Sequence, residues 1–215
     1  MNCGGCGKRC ASGQACQQGA CPLGPCDVQV STVDQLHDAL EVAAVRNGYV
    51  ICLAAGTYSL PSQFFTDVPQ PCQLDLPGNT SLLGAGAAQT ILQGAGSGFE
   101  AVICMSRGRL AWLTITGGVN NDGSGGGVQS GGTSSLTDCV VSGNSAGYGG
   151  GIFNAFPLTL DGCTITGNTA HHSTNSGQGG GVWNRGALTR INTTISGNTS
   201  DSGPDCINID AGTGC

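Results

Sequence analysis

The hexapeptide GGGIFN runs from Gly149 to Asn154, and GGGVWN returns from Gly179 to Asn184. Aligned on the apolar residue after the glycines, Val128, Ile152, Val182 and Cys206 step by 24, 30 and 24. A second column, Ile115, Val141, Ile165 and Ile195, steps by 26, 24 and 30, and a turn follows it each time: TGG at 116–118, SGN at 142–144, TGN at 166–168, SGN at 196–198. The repeating unit is therefore of the short solenoid kind, with one copy six longer than its neighbours. A unit that short, made of strands and turns, cannot bury its own apolar side chains. Stacking identical units does so, each strand pairing in parallel with its counterpart about 4.8 Å along an axis. The fold expected is all-β: a right-handed parallel β-helix, or solenoid.

Alternation then fixes the inside. In CTITG, Ile165 points in while Thr164 and Thr166 point out. Ile115, Val141 and Ile195 are its stacked neighbours, and Leu110, Leu136, Leu158, Leu160 and Leu188 fill the adjoining walls. The glycines of the hexapeptide take a tight corner. Its asparagine is expected to hydrogen-bond from coil to coil, because an amide carries both donor and acceptor and tolerates left-handed backbone. Two ladders follow: Asn144, Asn168 and Asn198, and Asn154, Asn184 and Asn208. Phe153 and Trp183 face outward, one above the other.

Composition agrees. The chain has 215 residues, 39 of them Gly, with 9% charged and 5% aromatic residues. Net charge is −6 with seven Lys plus Arg, which excludes nucleic acid or an anionic membrane surface as a partner. No run of about 18 apolar residues exists to span a bilayer.

Of 13 cysteines, six crowd the start of the chain: Cys3, Cys6, Cys10, Cys16, Cys21 and Cys26. That density marks a disulfide-rich module over positions 1–26, ended by CPLGPC, in an oxidising compartment. The rival is zinc, from the C-x-x-C of Cys3 and Cys6, but no second such pair follows. No apolar leader stands before Cys3, so the natural secretion signal is expected upstream. Positions 27–215 form the second unit. It opens with a capping helix at about 32–47: Thr32 is the N-cap with Gln35 completing a capping box, Leu36, Ala39, Leu40 and Ala43 make the apolar stripe, and Asn47-Gly48 closes it. His37 is a helix-surface histidine. The helix caps a solenoid end that would otherwise expose strand edges.

The run from GGGIFN through LTLDGCTITGNTA (158–170) and GGGVWN to LTRINTTISGNTS (188–200) resembles the right-handed parallel β-helix repeats of large bacterial secreted and surface proteins, including polymorphic outer-membrane-protein repeats. ICLAAGTY (51–58), SLLGAGAAQTILQG (81–94) and LAWLTITGG (110–118) resemble the opening coils of the same pectin-lyase-like superfamily, so the likeness covers positions 27–215. NCGGCGKRCASGQACQQGACP (2–22) resembles the stigma-specific-protein-like cysteine module; that family's first cysteine would fall before Asn2, leaving Cys26 without a counterpart. Enzymes of the superfamily imply polysaccharide cleavage, by lyases that need clustered carboxylates for Ca²⁺ and an Arg or Lys base, or by hydrolases that need paired carboxylates.

The residues do not supply that pattern. The nearest approach is Asp138 with Asp161, diagonal neighbours expected to form a solvated ion pair with Arg190. Arg107 and Arg109 are read as surface residues. No catalytic residue, cofactor or metal site is assigned. Function is expected instead beside the six-residue insertion, which lies in TAHHSTNSGQ (169–178), because protruding loops carry binding sites. His171, His172, Phe153 and Trp183 are the candidate binding residues, for a glycan or a protein partner; the alternative is that the rings pack beneath the insertion. The reading is a non-catalytic, extracellular or cell-surface, adhesion-type module. Outward Thr114, Thr116, Thr164, Thr166, Thr194 and Ser196 support a second alternative, an ice-binding face, interrupted by Val140 and Ser142. Disulfides are expected between Cys52 and Cys72, joining opening coils, and between Cys206 and Cys215, tying the last turn. Cys139 and Cys163, one coil apart, are expected to stack as free thiols.

Overall fold

The computed structural model describes residues 26–62, 72–96, 99–209 and 212–215 (side chains at 99 and 100 excepted), with the backbone of two short antiparallel strands, Asn2–Cys3 and Lys8–Arg9. Cys6, Cys10, Cys16 and Cys21 and the side chain of Cys3 lie outside the described residues, and with them the expectations for the cysteine module.

The chain is a parallel β-solenoid of about 6 turns. One face stacks seven strands, from Val28–Val30 and Val50–Leu53 through Thr80–Leu83, Gly108–Ala111, Ser134–Thr137 and Leu158–Asp161 to Leu188–Ile191. A second stacks six, from Gly56–Ser59 to Thr194–Ile195. The third runs from Cys72–Leu76 to Cys206–Asn208, and a short fourth wall holds Val119–Ser124, Ser145–Tyr148, Thr169–Ala170 and Thr199–Ser200. Pairing is in register, so the sequence repeat becomes spatial columns. Leu82, Leu110, Leu136 and Leu160 stack on the first face; Leu92, Ile115, Val141 and Ile165 on the second; Ile103, Val128, Ile152 and Val182 on the third. All are 0% exposed, and they form the single continuous core that no coil could bury alone.

Each repeat turns through left-handed backbone three times. Gly117, Gly143, Gly167 and Gly197 occupy one corner, and Gly125, Gly149, Gly179 and Gly203 another. The third corner is not glycine throughout: Trp112, Asp138, Gly162 and Asn192 succeed one another there, at φ 56°, 48°, 65° and 47°. At the hexapeptide corner the third glycine has a further reason. A Cβ on Gly127, Gly151 or Gly181 would lie 2.9, 2.9 or 2.7 Å from the side-chain nitrogen of Asn144, Asn168 or Asn198. The glycines clear room for the first asparagine ladder.

In that ladder Asn144 Oδ1 accepts once, from Gly118 N at 2.9 Å, and the two later asparagine oxygens each accept twice from the preceding coil. Asn168 Oδ1 takes Asn144 N and Nδ2 at 3.1 and 3.0 Å, and Asn198 Oδ1 takes Asn168 N and Nδ2, both at 3.0 Å. Asp205 ends it: its Oδ1 takes Asn198 N and Nδ2, both at 3.1 Å. The second ladder runs through side chains alone, Asn154 Nδ2 to Asn184 Oδ1 at 2.7 Å and Asn184 Nδ2 to Asn208 Oδ1 at 2.8 Å.

The helix spans Val33–Ala44 and buries Leu36, Ala39, Leu40 and Ala43. Thr32 caps it, accepting from Gln35 N at 3.2 Å. The Gln35 side chain returns to Ser31 N at 2.8 Å rather than to Thr32, so the reciprocal bond falls one residue further out. His37 is half-buried beside Asp38 and Glu41 on the helix surface.

Cys206 is bonded to Cys215. The Cys52–Cys72 pairing is corrected: Cys52 bonds Cys26, and Cys72 bonds Cys104. The reason is register. Cys52 lies on the first face, in line with Gln29, whereas Cys72 opens the third face, aligned with Ala101 on the strand that carries Cys104. The stretch from Cys52 to Cys72 is shorter than one coil, so the two fall on different walls. Cys26, assigned above to the cysteine module, is tied to the solenoid. Cys139 and Cys163 are buried thiols that donate to backbone carbonyls, Cys139 to Thr137 O at 3.3 Å and Cys163 to Asp161 O at 3.5 Å, and burial pushes the Cys139 thiol up.

Candidate binding site at the glycine corner

The hexapeptide corner has no side chains of its own. A Cβ on Gly150 or Gly180 would collide with the carbonyl of Thr169 or Thr199. Outward residues on both sides of the corner therefore close over a glycine floor: Tyr148 and Gln178, aligned across one coil, and Phe153 and Trp183, aligned across the same coil. The Phe153 and Trp183 rings stack with centroids 4.5 Å apart and an interplanar angle of 8°. That separation is close to the coil rise of about 4.8 Å, so the rings lie across the axis and turn their rims to solvent. Gln129 and Ile207 continue the column at either end. The Tyr148 ring meets Trp183 edge-on at 6.4 Å, and Trp183 Nε1 donates to Gln178 Oε1 at 3.3 Å. All four side chains are half-buried.

The insertion is clasped to this cluster from two coils away. Asp122, in left-handed backbone at φ 55°, accepts from Ser173 N at 2.5 Å and Ser173 Oγ at 2.6 Å. These bonds hold its carboxyl below the usual carboxylate range. The clasp crosses Gly147, where a Cβ would lie 2.9 Å from the Asp122 backbone and 3.0 Å from the His172 ring. His172 tilts on Tyr148 at 5.3 Å. His171 is exposed and is held by its backbone, His171 N donating to Ala146 O at 2.8 Å. Among the described residues no three His, Cys, Asp or Glu side chains are grouped to hold a metal ion. The structure thus brings Phe153, Trp183 and His172 together and leaves His171 outside. It adds Tyr148, Gln178, Asp122 and Ser173. Their signal in the sequence was Tyr148 standing one residue before the glycines.

Asp138 and Asp161 are diagonal neighbours, since Asp161 aligns with Thr137. The ion pair with Arg190 is corrected. Among the described residues Arg190 makes no ion pair with either acid; it aligns with Leu160 in the inward column and is exposed at the end of the stack. Asp138 instead accepts from Trp112 Nε1 at 3.1 Å. Arg109 is not a plain surface residue either. It lies over the Trp112 ring at 5.8 Å with its Nε buried and unbonded, and desolvation holds its guanidinium down. No helix among the described residues is long and apolar enough to cross a membrane. No protein-family model, curated protein or solved structure matches this chain.

Proposed function

We propose that this chain is a non-catalytic, extracellular right-handed β-helix of the pectin-lyase-like kind, an adhesion-type module that meets a glycan through the aromatic ladder at the glycine corner. The observation that carries the reading is the Phe153–Trp183 stack, half-exposed and flanked by Tyr148 and Gln178. Aromatic rims give apolar contact area whose positive edge meets hydroxyl oxygens, and the amide beside them hydrogen-bonds further hydroxyl groups. The acids support the non-catalytic part, because most described carboxylates off the helix already serve structure. Asp27 takes Val50 N, Asp122 takes Ser173, Asp138 takes Trp112, Asp201 takes Gly177 N and Asp205 takes Asn198. A general acid or base needs a carboxyl free to meet substrate.

Screening on a glycan array tests the reading. Trp183→Ala is expected to weaken binding about tenfold or more, while lowering stability by only about 1–3 kcal/mol, because the ring is half-buried and stacked. Unchanged glycan affinity in that variant would sink the ladder as the binding face, and capture of proteins alone would replace the glycan by a protein partner. Turnover of polygalacturonate that is lost in Asp138→Asn or Asp161→Asn would overturn the non-catalytic reading.

A second reading has its own observation. The outward columns of the six-stranded face hold Thr57, Ile91, Thr114, Val140, Thr164 and Thr194 in register, beside Ser59, Gln93, Thr116, Ser142 and Thr166, with no charge among them. A rigid, uncharged lattice of hydroxyls and methyls suits an ordered water surface. Thermal hysteresis that disappears when Thr164 and Thr166 become bulky would support it; absence of hysteresis in the parent retires it.

A further inference from the structure

His172 is placed between two arrangements that exclude each other. Its side chain is 12% exposed. Its Nδ1 accepts from Thr174 N at 3.3 Å and Asn175 N at 3.2 Å. Accepting requires a lone pair there, so the ring is neutral with its proton on Nε2. Asp122 Oδ1 stands 3.5 Å from the same Nδ1, and in this state the two atoms have no proton to share. Protonation reverses the roles. Nδ1–H then points a donor at Asp122, which Ser173 holds in place, and the imidazolium gains the Tyr148 ring face. Thr174 N and Asn175 N lose their acceptor. The other titratable groups here are Tyr148, whose ring packs on His172, and His171, exposed beside it; Asp201 lies at the far end of the insertion, where its Oδ2 accepts from Gly177 N at 2.9 Å.

We propose that His172 is a proton-operated latch on the insertion: neutral, it ties down the tip at 174–175; protonated, it passes to Asp122 and frees the tip while the base stays clasped. The functional consequence rests on the aromatic ladder being the binding face. Gln178, the partner of Trp183, is held to the sheet by Gly149 N and Gly147 O, so the ladder stays formed while the neighbouring tip is freed, and it is the freed tip that eases the approach of a glycan on acidification.

NMR of the ¹⁵N-labelled protein tests the latch without a ligand. At about pH 8 the His172 ring shows the Nε2–H tautomer. On acidification from about pH 8 to about pH 5, protection of the Thr174 and Asn175 amides falls about tenfold after correction for intrinsic exchange, as expected for loss of their acceptor; the Ser173 amide stays protected. His172→Ala shows low protection of both tip amides at either pH, and His171→Ala behaves as the parent. An Nδ1–H tautomer at pH 8, or tip protection that does not change with pH, overturns the latch. Glycan binding is read separately. No array ligand with the exchange switch intact fails the binding reading alone, and a ligand of pH-independent affinity with the switch intact overturns the proposed control of access.

Discussion

The two asparagine ladders use the same residue on the same solenoid and close differently. In Asn144–Asn168–Asn198 every bond from one coil to the next is double, a backbone N–H and a side-chain amide meeting one oxygen, and the chain ends on Asp205. Asp205 stands where the earlier coils carry Gly127, Gly151 and Gly181, one residue before the apolar strand residue. From there its carboxylate reaches the place a further asparagine would fill. A carboxylate suits an end position because it only accepts and leaves no amide proton unpaired. In Asn154–Asn184–Asn208 no backbone N–H takes part, and the first member has no donor before it. Ser130, aligned with Asn154, gives its hydroxyl to Gly132 O, and Asn154 Oδ1 is buried without a partner. What differs is the corner. Left-handed Gly143, Gly167 and Gly197 precede the first ladder and bring each following N–H onto the next coil's oxygen. The second ladder follows an extended strand whose N–H groups are spent on sheet pairing.

The comparison predicts an order of effects. Asn168→Ala should be the most costly, about 1–3 kcal/mol, because it leaves the buried Asn144 N–H without an acceptor; at this chain length that is a melting shift of about 2–4 °C per kcal/mol. A melt equal to the parent would break the account of the first ladder. Asp205→Ala should cost somewhat less, since Asn198 lies at the end and is 6% exposed, and Asp205→Asn should restore most of the loss by keeping Oδ1. If Asp205→Asn is as damaging as Asp205→Ala, the closing role belongs to charge and not to the acceptor. Asn154→Ala should cost least, under about 1 kcal/mol, because the unsatisfied buried oxygen it removes offsets the one it leaves at Asn184. A loss as large as that of Asn168→Ala would show that the two ladders are equivalent after all.

The columns were legible because in-register parallel pairing turns a distance of one repeat in sequence into contact in space. That is how Phe153 could be placed over Trp183, and Val141 against Ile165, with no structure. The Cys72–Cys104 bond was not legible in the same way. It links positions three residues out of register in the opening coils, before the repeat becomes regular. Arg109 was misread because its neighbours, Trp112 and Asp138, come from a corner whose left-handed residues are not all glycines and so carry no signal in composition.

The sequence by itself determined the coil: its length, its inward columns, its glycine corners and its asparagine turns, because each is a local requirement repeated at one period. Only the tertiary structure decided what surrounds the Phe153–Trp183 stack at the candidate corner. Tyr148 and Gln178 meet Trp183 across backbone that the glycines leave bare. Asp122 reaches Ser173 past a whole intervening coil, 51 residues away. The path of an insertion is set by what it finds to bond with, and a period carries no information about a segment that departs from it.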